Sequence, residues 1–201
     1  IAVDAGKFQG AYHTIAQGVN EMVAGHISVK KKAMACVAEF GKGNLEAPLD
    51  KFPGKKAFIN DTIEQVRTNL KALIADANML SKAAVEGKLD IRADATKHEG
   101  DFKKIVEGVN DTLDAVIGPL NVADEYVDRI AKGDIPPEIV DTYKGDFNEI
   151  KNNLNELIQM VNLRNMDINM LTEAAIAGKL AVRADTSKYT GSNGNLLKNI
   201  N

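Results

Sequence analysis

The residues best suited to chemistry in this chain of 201 are three histidines, one cysteine and a few short polar motifs. A metal would need several ligands at fixed spacing, such as two histidines one helical turn apart. His13, His26 and His98 are scattered and keep no such company, so each reads as a surface or packing residue, His26 lying near an apolar seam. None sits in a phosphoacceptor-like context. Cys36 falls among apolar residues of a helical pattern, which predicts a packed thiol rather than a nucleophile. A single cysteine excludes an intramolecular disulfide and fits a reducing compartment. Pro53-Gly54-Lys55-Lys56 lacks the spaced glycines and the Ser or Thr of a phosphate loop. Asn60-Asp61-Thr62 and Asn110-Asp111-Thr112 match the glycosylation pattern but lie inside helical periodicity. No nucleophile–base pair, carboxylate dyad or nucleotide motif remains. The expectation is therefore a non-enzyme with no cofactor, no metal and no small-molecule ligand.

Composition narrows the class further. Aromatic residues make up only 5% and Trp is absent, while Ala, Leu, Ile, Val, Lys, Asn and Asp dominate. That is the palette of long helices and coiled coils. The net charge of -3 gives no nucleic-acid footprint, and Lys30-Lys31-Lys32 reads as a solvated helix face. No segment approaches the ~18 apolar residues that span a bilayer, and no signal peptide opens the chain. The sequence begins and ends inside a repeat, which predicts a soluble fragment of something longer.

The repeat is the dominant feature. Gly87-Lys88-Leu89-Asp90-Ile91-Arg92-Ala93-Asp94 returns as Gly178-Lys179-Leu180-Ala181-Val182-Arg183-Ala184-Asp185. A second version reads Lys42-Gly43-Asn44-Leu45 and then Lys132-Gly133-Asp134-Ile135, so two unit types alternate. Self-similarity at a fixed period means one supersecondary unit stacked many times. Each unit reads helix, connector, helix. Ile59, Ile63, Val66, Leu70, Leu73, Ala77, Leu80 and Ala84 alternate in steps of four and three, as the seam of a left-handed coiled coil does. Phe147, Ile150, Leu154, Leu157, Val161, Arg164, Ile168, Leu171 and Ala175 repeat the pattern, with Arg164 as a charged exception, expected either to snorkel at a joint between units or to set register in the seam. Helices of this kind run about 45 Å, and their stripes must meet partners.

Connectors of about 13 residues open and close on glycine: Gly43 to Gly54, Gly87 to Gly100, Gly133 to Gly145 and Gly178 to Gly191. Each keeps apolar anchors, namely Leu45 and Leu49, Leu89 and Ile91, Ile135 and Ile139, Leu180 and Val182. An extended segment of that length reaches about 43 Å, enough to run back along a helix pair and start a second, parallel helix. A ring sits two residues before each closing glycine, at Phe8, Phe52, His98, Tyr143 and Tyr189, and is expected to act as a packing plug. Pro119, inside the pattern of one continuous helix, is expected to kink it or mark a joint between units.

This unit resembles the HAMP domain, the relay module of bacterial chemoreceptors and sensor histidine kinases. The clearest stretch is Gly118-Pro119-Leu120 followed by Ile130-Ala131-Lys132-Gly133-Asp134-Ile135. The family often carries an Asp-Glu pair before its second helix. Here those places read His98-Glu99-Gly100 and Tyr143-Lys144-Gly145. The resemblance implies an all-α array of concatenated units, each a parallel four-helix coiled coil formed by a homodimer. It places a partial unit at 1–26, complete units at 27–72, 73–117 and 118–163, and a truncated unit at 164–201. It further implies a cytoplasmic relay between an upstream sensor and a downstream output domain, most readily in a methyl-accepting chemotaxis protein, otherwise in a hybrid histidine kinase. A passive coiled-coil spacer or scaffold is the competing reading. It would need neither anchored connectors nor alternating unit types.

Overall fold

The computed structural model describes residues 2–201 as helices joined by extended connectors, with no strand among the described residues. The helices are α1 (Ala11–Phe40), α2 (Ala57–Val85), α3 (Gly100–Ala131), α4 (Asp146–Ile176) and α5 (Gly191–Ile200). The chain is all-α, as its periodicity dictates. Contacts divide it into two compact units, residues 1–111 and 112–201, with α3 contributing to both.

Every helix that enters a connector stops in the same way. At the end of α3, Gly133 adopts φ +84°, a conformation costly for any residue with a Cβ. The Gly133 amide then donates to the Ile130 carbonyl at 3.0 Å and the Asp134 amide to the Arg129 carbonyl at 2.9 Å. This pair of bonds is a Schellman motif, which satisfies carbonyls the helix would otherwise leave open. The same two bonds recur after α1, α2 and α4. The closing glycines have left-handed φ as well, Gly145 at φ +54° being the residue that turns the chain into α4. Short 3-10 turns at Ala5–Lys7, Gly54–Lys56, Ala95–Lys97 and Thr186–Lys188 precede the other helix starts. Three of them are capped by an aspartate, Asp4, Asp94 or Asp185.

The path of the first connector follows from its contacts. Cys36 of α1 meets Ala47, and Lys32, one turn earlier on α1, meets Asp50. The connector therefore runs backward along α1. On α2, Arg67 reaches Leu45 and Ala47, while Asn60 reaches Asp50 and Phe52. It runs backward along α2 too, so α1 and α2 are parallel. Ala33, Cys36, Ala47, Phe52 and Ile63 form the core between them, flanked by Val29, Phe40, Leu49 and Ile59.

α3 keeps its helical course through Pro119. Proline lacks the amide that would bond one turn back, so this point is one hydrogen bond poorer than its neighbours. What marks the position is the missing bond, with the helix assignment continuous on both sides of it.

Candidate functional site: the connector docking points

What recurs from connector to connector is a set of contacts that hold each one to its helices. Of the apolar residues expected to do this, Leu45 and Ile139 are buried, and Leu49, Ile135 and Val182 are half-buried. Leu89, Ile91 and Leu180 are exposed, Leu180 at 73%. In those two connectors the buried side chains come later, at Ala93 and His98, and at Ala184 and Tyr189.

Polar contacts that composition does not advertise do much of the holding. The Asn110 side chain accepts from the Ala93 amide at 3.1 Å and donates to the Ala93 carbonyl at 2.8 Å. One carboxamide thus satisfies both backbone groups of a connector residue, as a neighbouring strand would. Asn155 does the same to Ile139 at 2.7 and 3.0 Å, Asn201 to Ala184 at 2.8 and 2.9 Å, and Asn20 to Val3 at 2.8 and 2.7 Å. A signal existed in the repeat: Gly18-Val19-Asn20 returns as Gly108-Val109-Asn110. Asn60 is a variant that bonds the Phe52 amide and the Asp50 carbonyl.

The rings are plugs in part. Phe52, His98 and Tyr189 are buried, Tyr143 is half-buried and Phe8 is exposed. Two of them also carry a polar tether to the preceding helix. His98 Nε2 lies 2.6 Å from Asp76 Oδ2, and the Tyr189 hydroxyl donates to Asp167 Oδ2 at 2.6 Å. Burial, then the hydrogen bond to Asp167, pushes the Tyr189 phenol up to about 12. His98 is therefore neither a surface residue nor simple packing.

The first connector is held differently. Arg67, with its side chain 11% exposed, bonds the Leu45 carbonyl through Nη1 and the Ala47 carbonyl through Nη2 at 2.8 Å. Nη2 also donates to the Glu64 carboxylate at 3.2 Å, and the guanidinium lies 4.8 Å from the centre of the Phe40 ring. Nη2 also approaches Cys36 Sγ at 3.6 Å. Five N–H donors in a rigid fork suit this multiple capture. The Asp94 carboxyl is held below the usual carboxylate range by the Thr96 hydroxyl and then the Thr96 amide, and Ser187 does the same for Asp185. At the expected joints, Pro119 is half-buried beside Val122, Ile139 and Tyr143, and Arg164 Nη1 stands 3.5 Å from Asn193 Oδ1.

Among the described residues no cluster of His, Cys, Asp and Glu could hold a metal, and no helix is long and apolar enough to cross a membrane. A methyl-accepting chemotaxis protein, McpB of Pseudomonas aeruginosa, is 41% identical over 88 residues, which is 43% of this chain. The match covers 13% of that protein's length. No solved structure matches the chain. The sequence model of the HAMP domain matches residues 97–163, and that of HAMP N-terminal domain 3 matches residues 29–71. With connectors of one backbone design inside both matched stretches, the chain contains HAMP domains at 29–71 and 97–163.

Proposed function

We propose that this chain relays conformational change between a sensor and an output domain, as a parallel homodimer of stacked HAMP units in a chemoreceptor-type transducer. The units are 27–72, 73–117 and 118–163, flanked by parts of two more at 1–26 and 164–201. The array lies on the cytoplasmic side of the membrane, and it acts as a mechanical element rather than an enzyme.

One observation carries this reading: the seams are only half covered. In the first compact unit Tyr12, Ile15, Val19 and Met22 are 39–73% exposed at steps of three and four, as are Ile105 and Val109. In the second, Val116, Leu120, Val127, Ile150 and Leu157 are 37–52% exposed. Burying a large apolar side chain is worth roughly 1.5–3 kcal/mol, so leaving these wet is costly. A stripe with coiled-coil spacing is complementary to itself, and a second copy of the same chain covers it by two-fold pairing. Leu89, Ile91 and Leu180 are connector anchors in that assembly, seated against the second copy. The docked connectors favour a relay over a spacer, because a spacer gains nothing from a segment clamped at defined points.

The test is output from a full-length parent receptor carrying Asn110→Ala or Asn155→Ala. A relay predicts a shifted resting output at unchanged expression. A spacer predicts wild-type output from both variants.

A further inference from the structure

Residues 27–72 and 118–163 carry the same type of connector, yet they differ in charge. The first stretch has nine Lys and Arg against five Asp and Glu, a net of +4, and the second has four against nine, a net of -5. The excess is concentrated at a few places. In the register set by the connector glycines, Lys30, Lys31, Lys32, Lys51, Lys55 and Lys56 correspond to Leu120, Asn121, Val122, Thr142, Asp146 and Phe147. The sister stretch folds without any of the six, so the fold does not call for them. Lys30 takes the seam register of Leu120 and lies apart from the rest. We propose that the other five, Lys31, Lys32, Lys51, Lys55 and Lys56, form a face that docks on an anionic lipid surface.

Folding gathers lysines that the sequence keeps apart. Lys31 and Lys32 belong to α1, and the connector that runs backward along α1 brings the other three to it. Lys32 Nζ meets Asp50 at 2.5 Å, next to Lys51, and Lys56 Nζ lies 3.8 Å from the point where a side chain on Gly25 would begin. Gly25 and Lys32 are two turns apart on one helix, about 11 Å. That is close to one Debye length at about 0.1 M salt, so the ammonium groups act together. Lys31, Lys32, Lys51 and Lys55 are exposed and Lys56 is half-buried. Asp50 answers Lys32, but Glu39, Glu46 and Glu64 are engaged by cations outside the face, Lys42 at 2.6 Å, Lys71 at 2.5 Å and Arg67 at 3.2 Å. Asp61 is exposed on α2.

The chemistry of the face selects its partner. Every cation in it is a lysine, a point charge on a flexible stem, whereas capture of one defined carboxylate or phosphate favours the planar fork of arginine. Arg67 has that fork and turns it inward, to the Leu45 and Ala47 carbonyls. The lysines stand on a helix, a connector and the 3-10 turn Gly54–Lys56, so they sense the charge density of a plane rather than the shape of a peptide. A bilayer with acidic headgroups is such a plane, and each lysine near it multiplies binding about fivefold. The face belongs to one chain, so it stands whether or not the array pairs with a second copy or relays a signal.

The test is partition of the whole 201-residue chain onto sedimented vesicles, of phosphatidylcholine alone or with about one-third phosphatidylglycerol, at about 0.1 M salt. Binding is expected on the anionic vesicles only, and it should weaken as salt rises. Lys51→Gln, Lys55→Gln and Lys56→Gln together should lower partition about 100-fold at unchanged helicity, since each lysine contributes about fivefold. Lys144→Gln, Lys179→Gln and Lys198→Gln together remove the same charge from exposed sites elsewhere and should leave partition within about twofold. No binding to the anionic vesicles overturns the proposal, as does equal binding to neutral ones or an equal loss in both triple variants. Capture of soluble polyglutamate through the same three lysines, with no partition onto vesicles, assigns the face to an acidic protein and overturns the lipid reading.

Discussion

The connectors Gly43–Gly54 and Gly87–Gly100 leave their helices through the same two hydrogen bonds and run to similar closing glycines, yet they are locked by opposite chemistry. The first is gripped by one half-buried cation, Arg67, which takes two carbonyls, a carboxylate and a ring. The second is gripped by a neutral carboxamide, Asn110, and by the separate His98–Asp76 contact near the start of the connector's partner helix. Backbone geometry is thus the invariant of the unit, and side-chain locks are interchangeable parts. A concentrated lock fails all at once, whereas a distributed lock can loosen at one end and hold at the other. That difference suits a relay in which neighbouring units do not respond alike.

Removing Arg67 should have the largest effect. Arg67→Ala strands the Leu45 and Ala47 carbonyls and opens space beneath Phe40, at a cost of about 2–4 kcal/mol in chemical denaturation. Arg67→Lys should recover little of it, since one ammonium cannot reproduce the fork. Asn110→Ala removes two bonds from the distributed lock and should cost about 1–3 kcal/mol, with faster exchange at the Ala93 amide. If the two losses proved equal and both collapsed their connectors together, the contrast between concentrated and distributed locks would be wrong. Gly133→Ala, at φ +84° with open space around the added methyl, should cost about 1–2 kcal/mol from backbone strain alone, read from thermal denaturation.

The smallest effects come from pH at the connector turns. The carboxyls of Asp94 and Asp185 are depressed in the folded chain, so their contribution is complete above the ordinary aspartate range and is lost as pH falls through the depressed value. Tyr189 is raised, so its contribution is complete below the ordinary tyrosine value and is lost as pH rises toward about 12. Acid should therefore loosen the turns at Asp94 and Asp185 together, whereas alkali should loosen the connector of Tyr189. Exchange at the Thr96 and Ser187 amides follows the acid limb, and tyrosine absorbance follows the alkaline one.

The helices and the places where they stop were legible in the sequence, because they depend on local rules. A seam in steps of four and three forms a helix, and glycine after the last apolar residue ends it. The locks were harder to read because a hydrogen bond across the unit leaves no trace in periodicity. Asn110, Asn155 and Arg67 look like ordinary polar residues on a helix face. They stand out only when the repeat is compared with itself, as when Asp76 and His98 return in register as Asp167 and Tyr189. Leu89, Ile91 and Leu180 show a different limit. The sequence marks them as apolar, but one chain leaves them exposed, and covering them takes the proposed second surface.

That second surface is the central claim, and the mass of the 201-residue chain in solution tests it most directly. Light scattering across a wide concentration range should give twice the 21.7 kDa of one chain, with high helicity retained on dilution until the dimer parts. A well-folded particle of 21.7 kDa at every concentration would contradict the account, because the half-covered seams would then be stable in water on their own.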